Sequence, residues 1–528
     1  MEKILVKNSC IIINDYNFGD SPKLESFFAI YNPTTHSYRY AGIYYNAETK
    51  QLYLPRGIDV WYIENLLGEK AAVEINKYYK YDTYNDIGIR FLPKDNDQKK
   101  ALRFAVGKGE YLATSSKSQL SINLNTGKGK TYVAIGTISF LGIKSIVITY
   151  AKTVLEQWKK CILDYTNIEP KEIYNIDGSG SIFLLLNKSP KEIKKIKIFL
   201  VTHSTLKSYG DKYGWDKVGE LFAHMKVGLK FYDEAHTNFD NMCMIDFFTS
   251  VYKTYYLTAT PARSNNDENR IYQTSFKNTL AIDLFHPNTD PHTHYIAVRY
   301  NSRPSPQIIS FCKNKYGLDR NKYTNYIIKN DNFKKISVYI INFIMTKILK
   351  TYNDKLLIYI GTNNAIAEFY NWIISVFPML NGQIGIFSSM VSDQDKQYAL
   401  SKRIILTTTK SAGAAIDIHG LKCTLVLAEP FKSEVLARQT LGRTRDNNTY
   451  YIEIVDKGFK HCNGYFLAKR QVFSKYALDS SLIDVTDAEL ENIYSKIMIS
   501  RLQVKLPTLI RPFKIRPFVV CDKSYEED

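Results

Sequence analysis

Between about residues 86 and 290, short runs of consecutive apolar residues (SINLN, SIVITY, IKIFLVTH, VGLKFYDEAH and TYYLTAT) alternate with stretches of helix length. Strands that are apolar at every position, rather than at every second one, suit a parallel sheet covered on both faces, so the pattern predicts an α/β nucleotide-binding layout. After a polar, Pro- and Asn-containing stretch around 287–330 the pattern returns in KLLIYIG, GQIGIFS, RIILTTT, CTLVLAE and TYYIEIV, which predicts a second sheet in tandem. Residues 1–85 read differently. Their Tyr-, Ile- and Phe-rich runs are broken at Asn32-Pro33 and Pro55-Arg56-Gly57, as in a small β-rich domain. From about 476, ALDSSLIDVTDAELENIYSKIMISRL reads as helical, with Thr486 and Glu489 spaced as a capping box, and the chain ends in the basic-aromatic LIRPFKIRPFVV and an acidic tip. The expected division is therefore 1–85, 86–290, 291–475 and a helical extension over 476–528.

Composition narrows the class. With 528 residues, 45% hydrophobic and 23% charged, the chain is globular and long enough for about three domains, which excludes a mostly disordered or collagen-like protein. Lys and Arg number 70 against 52 Asp and Glu, a formal charge of +18, so the molecule attracts polyanions and nucleic acid is the leading partner. A Lys/Asn/Ile/Tyr-rich proteome would give the same excess, and charge alone does not decide. The seven cysteines form no close pair, which argues against a zinc ribbon or a disulfide framework and predicts buried, reduced thiols. The N-terminus lacks a signal-peptide layout and the longest apolar helical stretch, near Ile336 to Leu349, is too short to span a bilayer. A soluble, intracellular protein without membrane contact is expected.

The strongest local signal is SINLNTGKGKTYVAIGTISF. A strand, a Gly-containing turn and a helix would place Thr126, Gly127, Lys128, Gly129, Lys130 and Thr131 around a phosphate at a helix N-terminus, with Lys130 reaching the β/γ oxygens and the Thr131 hydroxyl on Mg²⁺. Leu124 stands where the strict eight-residue motif has its first Gly. In VGLKFYDEAHTNFD a hydrophobic strand ends in two acids: Asp233 would sit beside Mg²⁺ and Glu234 would orient and deprotonate the attacking water. A solvated acid pair, with His236 a plain histidine, is the other reading of that segment taken alone.

Together these motifs resemble superfamily 2 helicases and translocases of the DExH type, and further elements follow in that family's order. The resemblance implies ATP and Mg²⁺ as cofactors and two tandem RecA-like domains. It implies coupling of hydrolysis to strand movement through Thr258, Ala259 and Thr260 in YYLTATPARS, together with His236. ITYAKTVLEQWKKC resembles the first nucleic-acid-contact element, with Thr149, Gln157 and Trp158, although a Trp at that spacing also suits a core. IFLVTHSTL resembles its neighbour, with Thr202, Ser204 and Thr205. In the second repeat Thr362 and Asn363 of LLIYIGTNNAI, and Thr408 and Lys410 of LTTTKSAGAAIDI, are matched to the polymer, with Asp417 toward the nucleotide and Ala415 where Gly is usual. RQTLGRTRD resembles the arginine-finger element, with Gln439, Gly442, Arg443 and Arg445; the usual second arginine falls at Asp446, so either arginine can be the finger. Gln98 is similar to the family's adenine-reading glutamine, and equally suits the opening of an amphipathic helix.

The resemblance covers roughly 90–460. TATP, QWK and QxxGR look more like the DNA-translocating branch than the RNA-processing branch. The size, LPRG turn and composition are similar to the poxvirus-type transcript-release DNA helicases of large nucleocytoplasmic DNA viruses. This implies ATP-driven DNA tracking, release of nascent RNA from a viral RNA polymerase, and residence in virions and host cytoplasm. Two alternatives stand beside it: an RNA helicase, and a non-hydrolysing nucleic-acid-binding subunit of a transcription complex.

Overall fold

The structure, a computed structural model, describes residues 3–502 and 516–517 apart from 33–35, 74–77, 125–126, 236, 259–265, 285–291, 315–316, 413–417, 442 and 444–447. The chain forms two compact units, Met1–Phe285 and His286–Asp528.

The first unit holds two sheets and a hairpin. Strands β1 (Ile4–Val6), β2 (Cys10–Ile13), β3 (Ala29–Asn32), β4 (Ser37–Tyr40), β5 (Tyr44–Asn46), β6 (Gln51–Pro55) and β7 (Ala71–Val73) come first, with β5-β6-β2-β1-β7 forming a five-stranded sheet and β3 and β4 a separate hairpin. The larger sheet is all parallel: β8 (Gln119–Leu124), β9 (Ser145–Thr149), β10 (Ile173–Ile176), β11 (Ile198–Thr202), β12 (Leu229–Asp233), β13 (Lys253–Thr258) and β14 (Leu280–Leu284) lie in the order β10-β11-β9-β12-β13-β8-β14. Its central strands are buried at every position, as their continuous apolar runs predict.

The second unit carries β15 (Thr293–Tyr300), the short pair β16 (Lys313–Asn314) and β17 (Gly317–Leu318), and then β18 (Lys355–Ile360), β19 (Ile384–Phe387), β20 (Ile404–Thr407), β21 (Leu421–Ala428), β22 (Thr449–Asp456), β23 (Asp479–Asp484) and β24 (Arg516–Pro517). Its main sheet runs β19-β20-β18-β21-β22-β15-β23-β24, parallel except for the last pair. Two parallel-sheet α/β units with a small β-containing N-terminal region are the architecture expected from the pattern. Two segments depart from it. Residues 293–300, inside the stretch read as polar, form a strand in the sheet interior, and 479–484, read as helical, form its neighbour. The helix Asp487–Leu502 starts only after the capping box, where Thr486 and Glu489 satisfy each other's amides at 2.9 and 3.3 Å.

The N-terminal sheet is built into the first unit. One apolar cluster runs from Ile4, Ile11 and Leu54 through Phe239, Met242 and Phe247 to Ile271 and Tyr272. Polar contacts line its margin: Arg39 pairs with Asp240 and Glu268, Asp240 Oδ1 accepts from the Gly42 amide at 3.0 Å, and Arg270 donates to the Phe27 carbonyl at 2.7 Å. Gly57 is required at its place, since a Cβ there would lie 2.4 Å from the Ser275 carbonyl. The six described thiols form no disulfide, and all but Cys161 are buried.

Because the core is shared, a chain starting at residue 86 is expected to aggregate, read by size-exclusion chromatography. A monodisperse, cooperatively melting fragment would contradict the shared core. Arg39→Ala, which removes only half-exposed ion pairs, should cost about 1 kcal/mol or less in chemical denaturation.

Candidate functional site

The carboxyl ends of β8, β12 and β13 lie side by side, the edge at which open parallel sheets bind ligands. β8 ends at Leu124. Gly127 and Gly129 then take left-handed backbone, φ +82° and +86°, and the helix Lys130–Leu141 begins. The φ at Gly129 favours glycine, and a Cβ there would also displace the Gln98 amide, 2.3 Å away at Nε2. The helix is buried from Tyr132 through Ile138, which fixes its N-terminal amides at the sheet edge; Thr131 in its first turn is half-buried.

β12 delivers the two acids. Lys130 Nζ meets Glu234 Oε1 at 3.0 Å, with both side chains about nine-tenths buried. Glu234 holds φ +51°, a left-handed conformation unusual for a side chain of this kind, and its carbonyl accepts from the Thr237 amide at 2.8 Å. Asp233 is buried and accepts the Trp158 indole N–H at 2.8 Å. Burial and the adjacent Glu234 charge push its carboxyl up to about 6, against the opposing pull of Trp158 and Lys130. A divalent cation supplies the countercharge such a carboxylate lacks. Asp233, the Thr131 hydroxyl and the glycine-flanked helix N-terminus have the donor chemistry that would suit Mg²⁺ and a triphosphate. Among the described residues no cluster of three His, Cys, Asp or Glu forms a self-sufficient metal site.

The other expected residues divide. Gln98 is buried, and its amide is spent within the chain: Oε1 accepts from the Lys94 amide at 2.8 Å and Nε2 donates to the Lys128 carbonyl at 3.0 Å. It braces the phosphate loop; an adenine-reading amide would have to break those bonds. Trp158 is not presented to a polymer, because it is 1% exposed and turned to Asp233. Thr149 is buried and donates to the Ala151 carbonyl at 3.1 Å, while Gln157 is half-buried. Thr205 is buried beside the Thr202 hydroxyl that caps the helix His203–Tyr213, at 2.9 Å. Thr258 closes β13, buried, one strand from Asp233.

In the second unit Thr362 caps the helix Asn363–Val376 and donates to Asn325 at 2.9 Å; Asn363 donates to the Ser389 hydroxyl at 3.0 Å. Thr408 donates to the Ser411 hydroxyl at 3.0 Å, and Lys410 is exposed. Arg443 is buried and donates to the Tyr359 hydroxyl. Thr126, His236, Ala259, Thr260, Gly413, Ala415, Asp417, Gly442 and Arg445 lie outside the described residues, as does the side chain of Gln439. Glu429 escaped the sequence reading: buried at the end of β21, it accepts from the Thr409 amide at 2.9 Å and from its hydroxyl. The signal was an acid closing an apolar strand, LVLAE, as Asp233 closes β12.

With this geometry in place, comparison with known proteins agrees on class. The family model described as "Type III restriction enzyme, res subunit" matches residues 92–263. The fold is shared with S. cerevisiae Dbp5 bound to RNA and ADP BeF3, at TM-score 0.52 and 14% identity over 76% of this chain and 93% of that one. Mss116p bound to ssRNA and AMP-PNP gives TM-score 0.51 and 13% identity over 76% and 79%. The chain is thus similar to the helicases of superfamily 2. Within it, the chain is similar to transcript termination protein A18 of Yaba monkey tumor virus, 24% identical over 336 residues covering 61% of this chain and 64% of that protein. It also resembles the XPB helicase/translocase subunit of general transcription and DNA repair factor IIH from Encephalitozoon cuniculi, 28% identical over 34% of this chain and 26% of that protein. The match thus spans less than two thirds of the length of either relative.

Gln98→Ala removes the hydrogen bond from Nε2 to the Lys128 carbonyl of the loop and should raise KM for ATP and GTP alike, by about fivefold on roughly 1 kcal/mol for that bond. Loss of discrimination between the two bases, with ATP alone affected, would restore the adenine-reading role.

Proposed function

We propose that the protein is an ATP-hydrolysing motor that moves along nucleic acid, DNA in preference to RNA, in the transcription machinery of a large DNA virus. The observation that carries this reading is the buried Lys130–Glu234 pair beside Asp233 at the carboxyl edge of a parallel sheet. Similarity to a viral transcript termination protein and to an XPB subunit supports the setting. The surplus of basic residues supports a polyanionic track.

Gly127, Lys128, Gly129, Lys130 and Thr131 hold the phosphates, and Thr131 and Asp233 hold Mg²⁺, which when bound neutralises phosphate charge and orients the terminal group. Lys130 exchanges the Glu234 carboxylate for phosphate oxygen. Glu234 is thereby released to orient the attacking water and take its proton. Arg443 or Arg445 adds positive charge to the reacting phosphate, with Gln439 in the same segment. Thr258, with Thr260 and His236, links the strand beside Asp233 to movement on the polymer. The polymer is met by the exposed Lys410, by Thr362, Asn363 and Thr408 just past strand ends, and by Thr205 in the first turn of the helix His203–Tyr213. A viral RNA polymerase is the protein partner this reading implies.

Glu234→Gln, which keeps the volume, should lower kcat for ATP by about two orders of magnitude or more with little change in ATP affinity. Stimulation of ATPase by single-stranded DNA, duplex DNA and RNA checks the track; stimulation by RNA equal to or above that by DNA would overturn the DNA preference.

A further inference from the structure

We infer that Trp158 is a positioning residue for the Mg²⁺-binding carboxylate, and that it acts through Asp233 rather than on a nucleic acid. The inference rests on the proposed reading of the site and adds to it a residue that sequence resemblance had directed to the polymer.

Trp158 lies on the helix Lys152–Tyr165, whose apolar face, with Val154, Leu155 and Ile162, packs into the first unit. The ring is the bulkiest fully buried side chain among the described residues, so its position is set by packing on all sides. Its one polar atom, Nε1, donates to Asp233 Oδ2 at 2.8 Å. An indole N–H can only donate, and its direction is fixed by the ring plane, so it holds one carboxylate oxygen at a defined place. The Glu234 backbone amide supports the same carboxylate. Asp233 is therefore held from two sides by donors that cannot turn away. Hydrogen bonds of this kind to a metal-binding carboxylate fix its orientation and preserve its charge, and their loss typically costs about ten- to a hundredfold in metal affinity or activity. A buried apolar ring without its N–H would fill the same volume and leave Asp233 Oδ2 lacking this donor.

Trp158→Phe separates these contributions. The expected result is a rise of about tenfold in the Mg²⁺ concentration giving half-maximal ATPase, with kcat largely recovered at saturating Mg²⁺. Mn²⁺ bound to the enzyme with ADP, counted by electron paramagnetic resonance, should weaken by a similar factor, while ADP binding without metal and affinity for single-stranded DNA stay as in the wild type. Unchanged Mn²⁺ affinity, or DNA binding lost at constant Mn²⁺ affinity, overturns the inference and returns Trp158 to packing or to the polymer.

A second measurement needs no substitution. The chain has four tryptophans and so four indole N–H signals in a ¹⁵N-labelled sample. One of them, protected from solvent exchange, should broaden with Mn²⁺·ADP and remain sharp with Mg²⁺·ADP. No selectively broadened indole, in a wild-type protein that does bind Mn²⁺·ADP, overturns the inference and leaves the proposed function standing. A wild type that binds no Mn²⁺·ADP at all overturns both.

Discussion

Three charged side chains, Lys130, Asp233 and Glu234, share a nearly dry corner at the end of a parallel sheet. Taking each out of water costs several kcal/mol, and the cost is bearable only if every group finds a partner in good geometry. Here Lys130 answers Glu234, and Asp233 is answered by an indole and a backbone amide. The sum of charges is one negative, which leaves the corner short of positive charge. Asp233 registers that shortage as a carboxyl pushed toward neutrality. A cation beside it would relieve the imbalance, and phosphate oxygens would compete with Glu234 for the one ammonium. In the proposed function, binding of fuel and release of Glu234 would thus be one rearrangement of the same few charges.

The rest of the first unit keeps that corner in place. The helix that leaves the strand of Asp233, Phe239–Phe248, and the helix that follows the strand of Thr258, Asn266–Ser275, are both gripped by the N-terminal region: Arg39 joins Asp240 of one to Glu268 of the other, and the Cys10 thiol donates to the Phe247 carbonyl at 3.8 Å. Residues 1–85 carry nine Lys and Arg against ten Asp and Glu, so they add nothing to the positive excess that attracts a polyanion. Their contribution is mechanical. They brace the elements issuing from the catalytic edge.

How far the sequence disclosed this follows from what a pattern can encode. Strands buried on both faces announce themselves, because every position must be apolar; β9, β11, β12, β13 and β18 through β22 were readable for that reason. β23, Asp-Ser-Ser-Leu-Ile-Asp, lies toward the sheet margin with mostly half-buried side chains, and the apolar run of β15 is only Tyr295 to Val298, flanked by Thr293, His294 and Arg299, so neither carries that signature in full. Lys130, Asp233 and Glu234 were legible because a motif fixes them relative to a strand end. Trp158 and Gln98 were legible as notable residues but not by partner: Asp233 and Lys128 lie 75 and 30 residues away, and direction is a property of packing. Glu429 was overlooked because an isolated acid has no motif until Thr409 is seen to lean on it.

One more buried group ties the catalytic strand to its neighbour. Tyr232 and Tyr256 are register partners on β12 and β13, their rings stacked at 5.6 Å, and both hydroxyls donate to the same carboxylate, Asp246, at 2.8 and 2.6 Å. Lys230 neutralises that carboxylate at 2.5 Å. Tyr232 directly precedes Asp233, and Tyr256 stands two residues before Thr258. Shear between the strands would break a charge-assisted bond inside an apolar core, where the orphaned group costs more than the bond itself is worth. The shared carboxylate therefore holds the two strands in register just beneath Asp233 and Thr258.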